Sequence, residues 1–251
     1  LLGAHEYQIS SAGCRVYPNA EAWLARRSDA TPAFVVPTVS TGVEGLDAMV
    51  GGGLARSSTA MFLGFAGSGK TSVALHFLDA GAQQGESGLF VGFHEGESAL
   101  LAAADTLGLR LRQAVGAGRV RLQWQLPHTQ GLDAFAWQLL AAVEEHKVQR
   151  LVLDGFDGLR RAARPEGRTL RFAAALLEEL RRRGVTTVVT EETEHAFGPE
   201  VGVRTPGSAS LMDTVVLFEH LEVGVELRRL VSILKQRGRS SEWTCRELTF
   251  T

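Results

Sequence analysis

The stretch Thr59–Leu78, which reads TAMFLGFAGSGKTSVALHFL, decides the fold of this chain. Its apolar run Ala60–Leu63 is typical of a buried strand, and a helix-forming segment follows Thr71. Between them, Gly64–Thr71 reads GFAGSGKT and fits the pattern G-x-x-x-x-G-K-[ST]. A strand before this pattern and a helix after it distinguish a phosphate-binding loop from a chance match. The sequence therefore predicts a site for a nucleoside triphosphate.

The residue types of this loop suit the chemistry of a phosphate site. Glycines let the backbone curl so that N–H groups point inward at phosphate oxygens, and the following helix directs its positive end at the same anion. Lys70 can reach the β- and γ-phosphates, and the Thr71 hydroxyl can ligate Mg²⁺. The predicted nucleotide-binding residues here are Gly64, Ala66, Gly67, Ser68, Gly69, Lys70, Thr71 and Ser72.

Composition limits the classes of protein to consider. A length of 251 residues suits one large domain, or a domain with an appendage. The formal net charge of −2 gives no general reason to expect a nucleic-acid partner. Cys14 and Cys245 have neither metal-site nor disulfide spacing, which favours free thiols in a reducing cytoplasm. No apolar run approaches the ~20 residues of a membrane span, and no signal peptide is visible.

Strand-like and helix-like segments alternate after the loop, which predicts an α/β fold with a mostly parallel sheet covered by helices on both faces. From Asp213 onward strands follow one another, and we expect these to be antiparallel additions at one edge of the sheet. The predicted strands after the loop are Gly88–Phe93, Arg119–Trp124, Leu151–Asp154, Val185–Thr190, Thr214–Leu217, Leu227–Leu234 and Glu247–Thr251. The predicted helices are Ser98–Leu107, Gly131–Lys147 and Leu170–Arg183.

The residues before the loop divide into two parts. Two short alternating runs in His5–Tyr17 predict a hairpin, and Asn19–Arg27 predicts a brief helix. The segment Ser28–Pro37 contains proline and serine and is typical of a linker. A domain boundary is therefore expected near residues 28–38.

Two acids at predicted strand ends are candidates for chemistry. Asp154 ends the apolar run of its strand and suits the acid that holds Mg²⁺ beside the loop threonine. Glu95 follows the strand that we expect to neighbour the loop strand. Ligands of open parallel sheets gather at the carboxyl ends of strands, so Glu95 is the candidate base for the attacking water. A solvated loop acid is the alternative for both positions.

Clusters of basic residues have two interpretations. Lys235 and Arg237 follow a predicted strand, and such cations can neutralise charge on a transferring phosphate from a neighbouring subunit. A solvated sheet edge is the alternative. Arg181–Arg183 end a helix, where cations favour the helix dipole without any DNA. A denser scatter could line a pore or an interface, and comprises Arg160, Arg161, Arg164, Arg168 and Arg171.

The order of several segments resembles the KaiC family of RecA-superfamily ATPases, along nearly the whole chain from Thr38 to Thr251. The late K-x-R-G, together with GLD and GGGL before the loop, is far more specific than a phosphate-binding loop alone. The segments that carry the resemblance are STGVEGLDAMVGGGL, GFAGSGKT, GLFVGFHE, RLVLDG, GVTTVVTEE, FGPE and ILKQRG.

The resemblance implies a RecA-like core, ATP with Mg²⁺, and hexameric rings of identical subunits with nucleotide between them. It implies that Lys235 and Arg237 reach the nucleotide of a neighbour, and it adds Arg229 to the nucleotide-binding residues. It also implies that residues 1–27 are the closing strands of a preceding repeat, that 28–38 is a linker, and that 39–251 is the ATPase domain. The parent polypeptide would then be a tandem-repeat homologue.

The chain departs from the family pattern at two places. The family usually has two adjacent glutamates after the second strand, where this chain has His94 and Glu95. The phosphoacceptor pair of the second repeat in the family falls here on Ala209 and Ser210. One hydroxyl survives, so any weak autokinase activity would use Ser210, and a two-site phosphorylation cycle is not expected.

The sequence thus favours an ATP-hydrolysing ring that acts as a regulatory switch with a partner protein that the residues do not identify. Two other functions stay open. A nucleotide-sensing scaffold would bind ATP, assemble and barely hydrolyse it, which His94 in place of an acid favours slightly. A DNA motor of the RecA or helicase kind would need a basic surface that binds DNA, and the near-neutral net charge of the chain does not suggest one.

Overall fold

The computed structural model describes residues 4–24, 37–125, 131–162, 167–193, 205–238 and 244–249. Most of the predicted linker, together with Arg164, Arg239 and the FGPE segment, lies outside this part of the chain. The strands are β1 (Glu6–Ser10), β2 (Gly13–Tyr17), β3 (Thr38–Val39), β4 (Leu54–Ala55), β5 (Thr59–Gly64), β6 (Gly88–Gly92), β7 (Val120–Trp124), β8 (Arg150–Asp154), β9 (Thr186–Glu192), β10 (Thr214–Val223), β11 (Glu226–Gln236) and β12 (Arg246–Glu247). The helices are α1 (Ala20–Leu24), α2 (Glu44–Met49), α3 (Lys70–Gln83), α4 (Glu97–Thr106), α5 (Leu111–Gly116), α6 (Leu132–Glu145), α7 (Phe156–Ala162), α8 (Thr169–Arg182) and α9 (Ser208–Leu211).

The main sheet has eight strands in the order β12-β11-β10-β5-β9-β8-β6-β7. The pairs from β10 to β7 are parallel, whereas β11 and β12 are antiparallel additions at one edge. This arrangement confirms the predicted mostly parallel α/β fold, which is the RecA-like fold. Parallel order places the carboxyl ends of β5, β9, β8 and β6 at the same edge of the sheet.

Helices pack against both faces of the sheet. Because successive side chains of a strand point to opposite faces, a central strand contributes to the core on each side. Ala60 and Phe62 of β5 belong to one core with α3, α4 and α5, whereas Met61 and Leu63 belong to the other with α6, α7 and α8. All six residues of β5 are buried. The continuous apolar run before the loop is therefore a central strand that is covered on both sides, as predicted.

Two expectations about strand neighbours are wrong. Thr214–Leu217 is not an antiparallel edge strand, because β10 pairs in parallel with β5. Residues 193–213 are longer than the roughly dozen residues that a parallel crossover needs, and the buried run Val215–Phe218 is typical of a strand covered on both faces. Strand β6, the first strand after the loop, was expected to neighbour the loop strand β5. It does not, since β9 and β8 lie between them.

Smaller differences concern element bounds. Described strand structure at the carboxyl terminus stops at Glu247, so β12 is shorter than the predicted Glu247–Thr251, of which the last two residues lie outside the described ranges. The brief amino-terminal helix spans only Ala20–Leu24 within the described residues. The short helices α2, α5 and α7 were not predicted, since none is long enough to show a helical apolar period. None of the described helices is long and apolar enough to cross a membrane.

The amino-terminal residues form the predicted hairpin and dock on the ATPase core. Strands β1 and β2 pair as a separate two-stranded antiparallel sheet, and α1 packs on α6 and α8. The rings of Trp23 and Trp137 meet edge to face with centroids 4.6 Å apart. The Trp137 indole N–H also donates to the Pro18 carbonyl oxygen over 2.9 Å.

A buried ion network fixes this docking. The Arg168 guanidinium binds the carboxylate of Glu21, and it binds Asp133 Oδ1 at 2.5 Å. The same Asp133 oxygen accepts the Ala20 backbone N–H over 2.8 Å, and the Asp133 side chain is almost fully buried. A buried carboxylate is costly unless it is paired, so Arg168 and Ala20 together make the position of α1 on α6 favourable.

Candidate functional site

The phosphate-binding loop connects the end of β5 to the first residue of α3. Gly67 and Gly69 have φ angles of 77° and 103°, which place both in the left-handed region that favours glycine. Gly64 has a different reason to be glycine. A Cβ there would lie 2.3 Å from the Phe218 carbonyl oxygen and 2.8 Å from Ser68 Oγ. Three of the predicted glycines are therefore required by the shape of the loop itself.

Lys70 and Ser68 place polar groups inside the loop. Lys70 Nζ donates to the carbonyl oxygens of Gly64 and Phe65, each over 2.8 Å, so its ammonium lies within the curve of the loop. Ser68 Oγ is buried and has no hydrogen-bond partner among the described residues. An orphaned buried hydroxyl in a glycine-rich curve fits an anion ligand, since buried polar groups are normally satisfied. Ala66 and Gly67 are exposed on the outer side of the loop.

Asp154, at the end of β8, lies opposite Thr71. Its two carboxylate oxygens are each 3.4 Å from Thr71 Oγ1, and Oδ1 accepts the Thr190 hydroxyl over 2.6 Å. Thr190 Oγ1 in turn accepts the Gly155 backbone N–H over 2.9 Å, which fixes its orientation. Burial raises the pKa of Asp154, while the hydrogen bond from Thr190 and the charge of Lys70 oppose that rise.

The oxygen ligands of Thr71 and Asp154 fit Mg²⁺, which prefers hard oxygen donors and keeps several waters and phosphate oxygens in its shell. Within the described ranges, no group of three or more His, Cys, Asp or Glu side chains is arranged to hold a metal ion. A magnesium ion at this position would therefore depend on a nucleotide for its other ligands. This is the expected pattern for phosphate-binding loops, in which the metal arrives with the substrate.

His94 and Glu95 follow β6 at the same edge of the sheet, and both are exposed. The His94 ring lies against Gly155, since a Cβ on Gly155 would be 3.1 Å from His94 Nε2. His94 is also close enough to Asp154 to oppose the rise in the pKa of that carboxyl. Glu95 thus shares the carboxyl edge with the loop, but two strands separate β6 from β5.

Three residues that the sequence analysis did not single out lie at this edge. Thr190 holds Asp154, as described above. Glu192 pairs with Gly64 across β5 and β9, and it lies on the same face of β9 as Thr190 because the two are two residues apart. His220, on β10, lies close enough to the backbone of Gly67 for that backbone to affect the pKa of its imidazole. The sequence shows Glu192 in TEE and His220 after VVLFE. Their position beside the loop, however, follows only from the order of the strands in the sheet.

Lys235, Arg237 and Ser210 lie together elsewhere, at the opposite end of the sheet. Lys235 Nζ donates to the carbonyl oxygens of Ala209 and Ser210 over 2.9 and 3.2 Å. Arg237 Nη2 donates to the Ser210 carbonyl oxygen over 2.9 Å. Arg229 is different, because it pairs with His220 across β10 and β11 and so lies near the loop of its own chain. The structure therefore separates the late cations into two groups.

Comparison with known proteins agrees with this architecture. A family model described as the KaiC ATPase matches residues 39–250, which is most of the chain. The chain belongs to the KaiC ATPase family. The matched span begins in β3 and includes the phosphate-binding loop, Asp154 and the late cations.

Named KaiC proteins are similar over the length of the chain. The circadian clock oscillator protein KaiC of Picosynechococcus sp. is 24% identical over all 251 residues, which is 47% of its own length. That of Thermostichus vulcanus is 25% identical over the same span, also 47% of its length. The circadian clock protein KaiC3 of Synechocystis sp. is 26% identical over 84% of this chain and 41% of its own length. The chain thus spans about half the length of these curated relatives.

Replacing Lys70 with alanine should weaken ATP binding by about 30- to 150-fold, which corresponds to ~2–3 kcal/mol of charge-assisted hydrogen bonding. The reason is that Lys70 is the ammonium held inside the curve of the loop. Calorimetric titration with ATP and Mg²⁺ measures the change. Arg121→Ala, an exposed cation of β7 at the far edge of the sheet, is the matched control and should bind as the wild type does. Unchanged affinity in a folded Lys70→Ala protein would contradict the loop assignment.

Proposed function

We propose that this domain binds ATP with Mg²⁺ and hydrolyses it at the junction between subunits of a homohexameric ring, as a slow regulatory switch. The observation that carries the proposal is that Thr71 of the phosphate-binding loop faces Asp154 at 3.4 Å, with Lys70 inside the loop. Membership in the KaiC ATPase family supports ATP as the nucleotide. The names of the relatives, which are circadian clock proteins, support a regulatory role through a partner protein.

Binding and orientation follow from the loop. Lys70 supplies a positive charge to the β- and γ-phosphates, and the amino-terminal end of α3 adds its helix dipole. Thr71 and Asp154 would hold the metal, and Thr190 fixes the Asp154 carboxylate. Bound Mg²⁺ supplies charge neutralisation to the phosphate oxygens. These residues account for the binding of MgATP, and hydrolysis needs in addition a group that orients water.

Two carboxylates are placed to orient or deprotonate that water. Glu95 lies beyond β6 on the Asp154 side of the site, and we propose it as the base. Glu192 is the competing candidate, because it ends the strand next to the loop strand and faces the same side as Thr190. His94 occupies the place of a second acid beside Glu95. Within the described residues, the candidate bases are therefore Glu95, and Glu192 from the other side of Asp154.

Exchanging each acid for its amide separates the two candidates. Glu95→Gln should leave ATP affinity unchanged and lower hydrolysis by about 10²-fold or more, because an amide can hydrogen-bond water but cannot accept its proton. Glu192→Gln should lower hydrolysis far less, and Glu97→Gln, an exposed acid at the start of α4, is the matched control. Steady-state phosphate release measures all three. If the large loss belongs to Glu192→Gln, Glu192 is the base and the assignment of Glu95 is wrong.

Lys235 and Arg237 are proposed to act on the nucleotide of a neighbouring subunit. Lys235 pairs with Val215 of β10, and Val215 pairs with Met61 of β5. At about 3.3 Å per residue, Lys235 therefore lies roughly 10 Å from the level of Gly64, toward the amino end of β5. The Arg237 backbone N–H donates to the Asp213 carbonyl oxygen, and the Asp213 backbone N–H donates to the Thr59 carbonyl oxygen. Since Thr59 begins β5, the main chain of Arg237 lies roughly 17 Å from the level of Gly64, toward the amino end of the strand. Their side chains also bind the α9 carbonyl oxygens. Neither can therefore serve the loop of its own chain in this arrangement.

Mixing two inactive variants tests this action in trans. Lys70→Ala and Arg237→Ala should each lose hydrolysis, the latter by ~10³-fold as for an arginine finger. In a mixed ring, some junctions combine an intact loop from one variant with an intact Arg237 from the other, so activity should return on mixing. Phosphate release from the mixture, after light scattering has shown that hybrid rings form, measures the recovery. A mixture of Lys70→Ala with Arg121→Ala serves as the reference for dilution.

Hybrid rings that stay inactive would exclude action in trans by Arg237. Light scattering on the wild type, with and without MgATP, adds a check on the ring itself, since nucleotide held between two subunits should favour the oligomer by mass action.

Ser210 is the proposed phosphoacceptor if the domain is also an autokinase. It is exposed, and its carbonyl oxygen is bound by both Lys235 and Arg237, so acceptor and cations occupy one edge. A neighbour's γ-phosphate that meets those cations would therefore meet the Ser210 hydroxyl as well. Incubation with MgATP followed by mass spectrometry should locate phosphate on Ser210, and Ser210→Ala should lose it. Phosphate found only at other residues would contradict this assignment.

The two rival functions make different demands. A scaffold with little hydrolysis is favoured by His94 in place of an acid and by the exposure of Glu95, and phosphate release by the wild type decides between it and an active ATPase. A DNA motor finds less support, because three arginines of the predicted basic scatter are paired with acids and not available for phosphates. Arg160 and Arg161 bind Asp157, and Arg168 binds Glu21 and Asp133.

A further inference from the structure

Strand β10 runs past the end of β5 and reaches the phosphate-binding loop. Phe218 pairs with Gly64, the last residue of β5, so His220 lies roughly 7 Å further along the strand direction. His220 shares the face of Phe218, which packs edge to face on Phe62 with ring centroids 5.4 Å apart. The imidazole is therefore carried to the loop by a strand that is anchored in the core.

The contacts of His220 are with the loop and with two cations. Its imidazole lies close enough to the backbone of Gly67, a residue that the loop holds at a φ of 77°, for that backbone to affect the pKa of the ring. Arg229 lies directly opposite His220 on β11, and Lys70 is close enough to act on the ring electrostatically. Two neighbouring cations disfavour the protonated form of a histidine, since like charges repel. A purely structural role at the sheet edge therefore does not explain why His220 lies beside Arg229 and Lys70.

We propose that His220 is a further nucleotide-binding residue, whose imidazole lies beside the loop at Gly67 and becomes a third cation beside Lys70 and Arg229 when a polyphosphate binds. This inference rests on the proposed binding of ATP, and it adds a residue for which no sequence motif exists. The physical reason is that a polyphosphate brings several negative charges to a place where two cations previously disfavoured a third. The same ring can thus lie beside the loop while neutral and bind the anion while charged.

The direction of the pH effect follows from the groups around the ring. Burial and the charge of Arg229 lower the pKa of His220, the Gly67 backbone opposes this, and Lys70 lowers it further. Glu222, two residues along the same face of β10, is exposed, and Glu219, the adjacent residue, points to the opposite face. A bound anion raises the pKa, so binding takes up a proton. Affinity should therefore rise as pH falls through the interval between the two pKa values.

The test uses ADP with Mg²⁺, which binds without being hydrolysed, and measures affinity and proton uptake by calorimetry in two buffers of different ionisation enthalpy. For a pKa shift of one unit, the wild type should bind ADP up to about tenfold more tightly at pH 6 than at pH 8, in excess of any change due to the nucleotide. His220→Gln keeps a hydrogen-bonding group but cannot titrate, so it should match the wild type at pH 8 and lose the excess at pH 6. His220→Leu should bind weakly at both pH values. His94→Gln, which removes the other histidine that the described residues place at this edge, should keep the excess.

The outcomes separate this inference from the proposed function. A wild type that fails to bind ADP or ATP would refute nucleotide binding itself. If the wild type binds but the pH profile and proton uptake of His220→Gln superimpose on those of the wild type, the inference is wrong, even where His220→Leu binds weakly. Loss of the excess in His94→Gln instead of His220→Gln would overturn it as well.

Discussion

The candidate site depends on how closely β5 is held between β9 and β10. The Phe218 carbonyl of β10 comes so near to Gly64 that no side chain fits there, and Thr193 donates its backbone N–H to the Gly64 carbonyl from the other side, over 3.1 Å. The loop therefore leaves the sheet from a fixed point. Interiors that are packed this closely do not deform gradually, so the loop, Thr190 and His220 keep their relative positions. A substitution at Gly64 would move the loop rather than fill a space.

The amino-terminal segment is tied to the same framework by a different interaction. Arg168 precedes α8, and Asp133 lies in the first turn of α6, so the network that holds α1 binds together the two helices on that face of the sheet. Helix α6 leads to β8, which carries Asp154, and α8 leads to β9, which carries Thr190. The segment is therefore a structural part of the ATPase core in this chain, even though its sequence resembles the end of a preceding repeat. A buried network of this kind is sensitive to the loss of one partner, because the remaining charge would be buried alone.

Local patterns in the sequence predicted the elements well, and strand order is where they did not suffice. The apolar run before GFAGSGKT, the glycines and Asp154 were predicted because each depends on its own neighbours in the chain. Whether Gly88–Gly92 or Thr186–Glu192 lies beside β5 depends instead on which crossovers the helices make, and no single segment encodes that. The position of Glu192 next to the loop and that of His220 above it follow only from the order β10-β5-β9. For the same reason, the sequence suggested an antiparallel strand at Thr214, whose parallel pairing is set by the long connection before it.

The length of the sheet separates two groups of basic residues and is consistent with the proposal that nucleotide lies between subunits. The loop lies at the carboxyl end of β5, whereas Lys235 and Arg237 lie at its amino end, where Asp213 binds the Thr59 backbone N–H over 2.9 Å. A rigid sheet cannot fold back to join its two ends, so under the proposed function a cation at the amino end would act on a nucleotide bound to a neighbouring molecule. Arg229 and His220 do not share this constraint, because β10 and β11 carry them past Gly64. The late basic residues thus divide by strand position into Arg229 and His220, which lie near the loop of their own chain, and Lys235 and Arg237, which lie far from it.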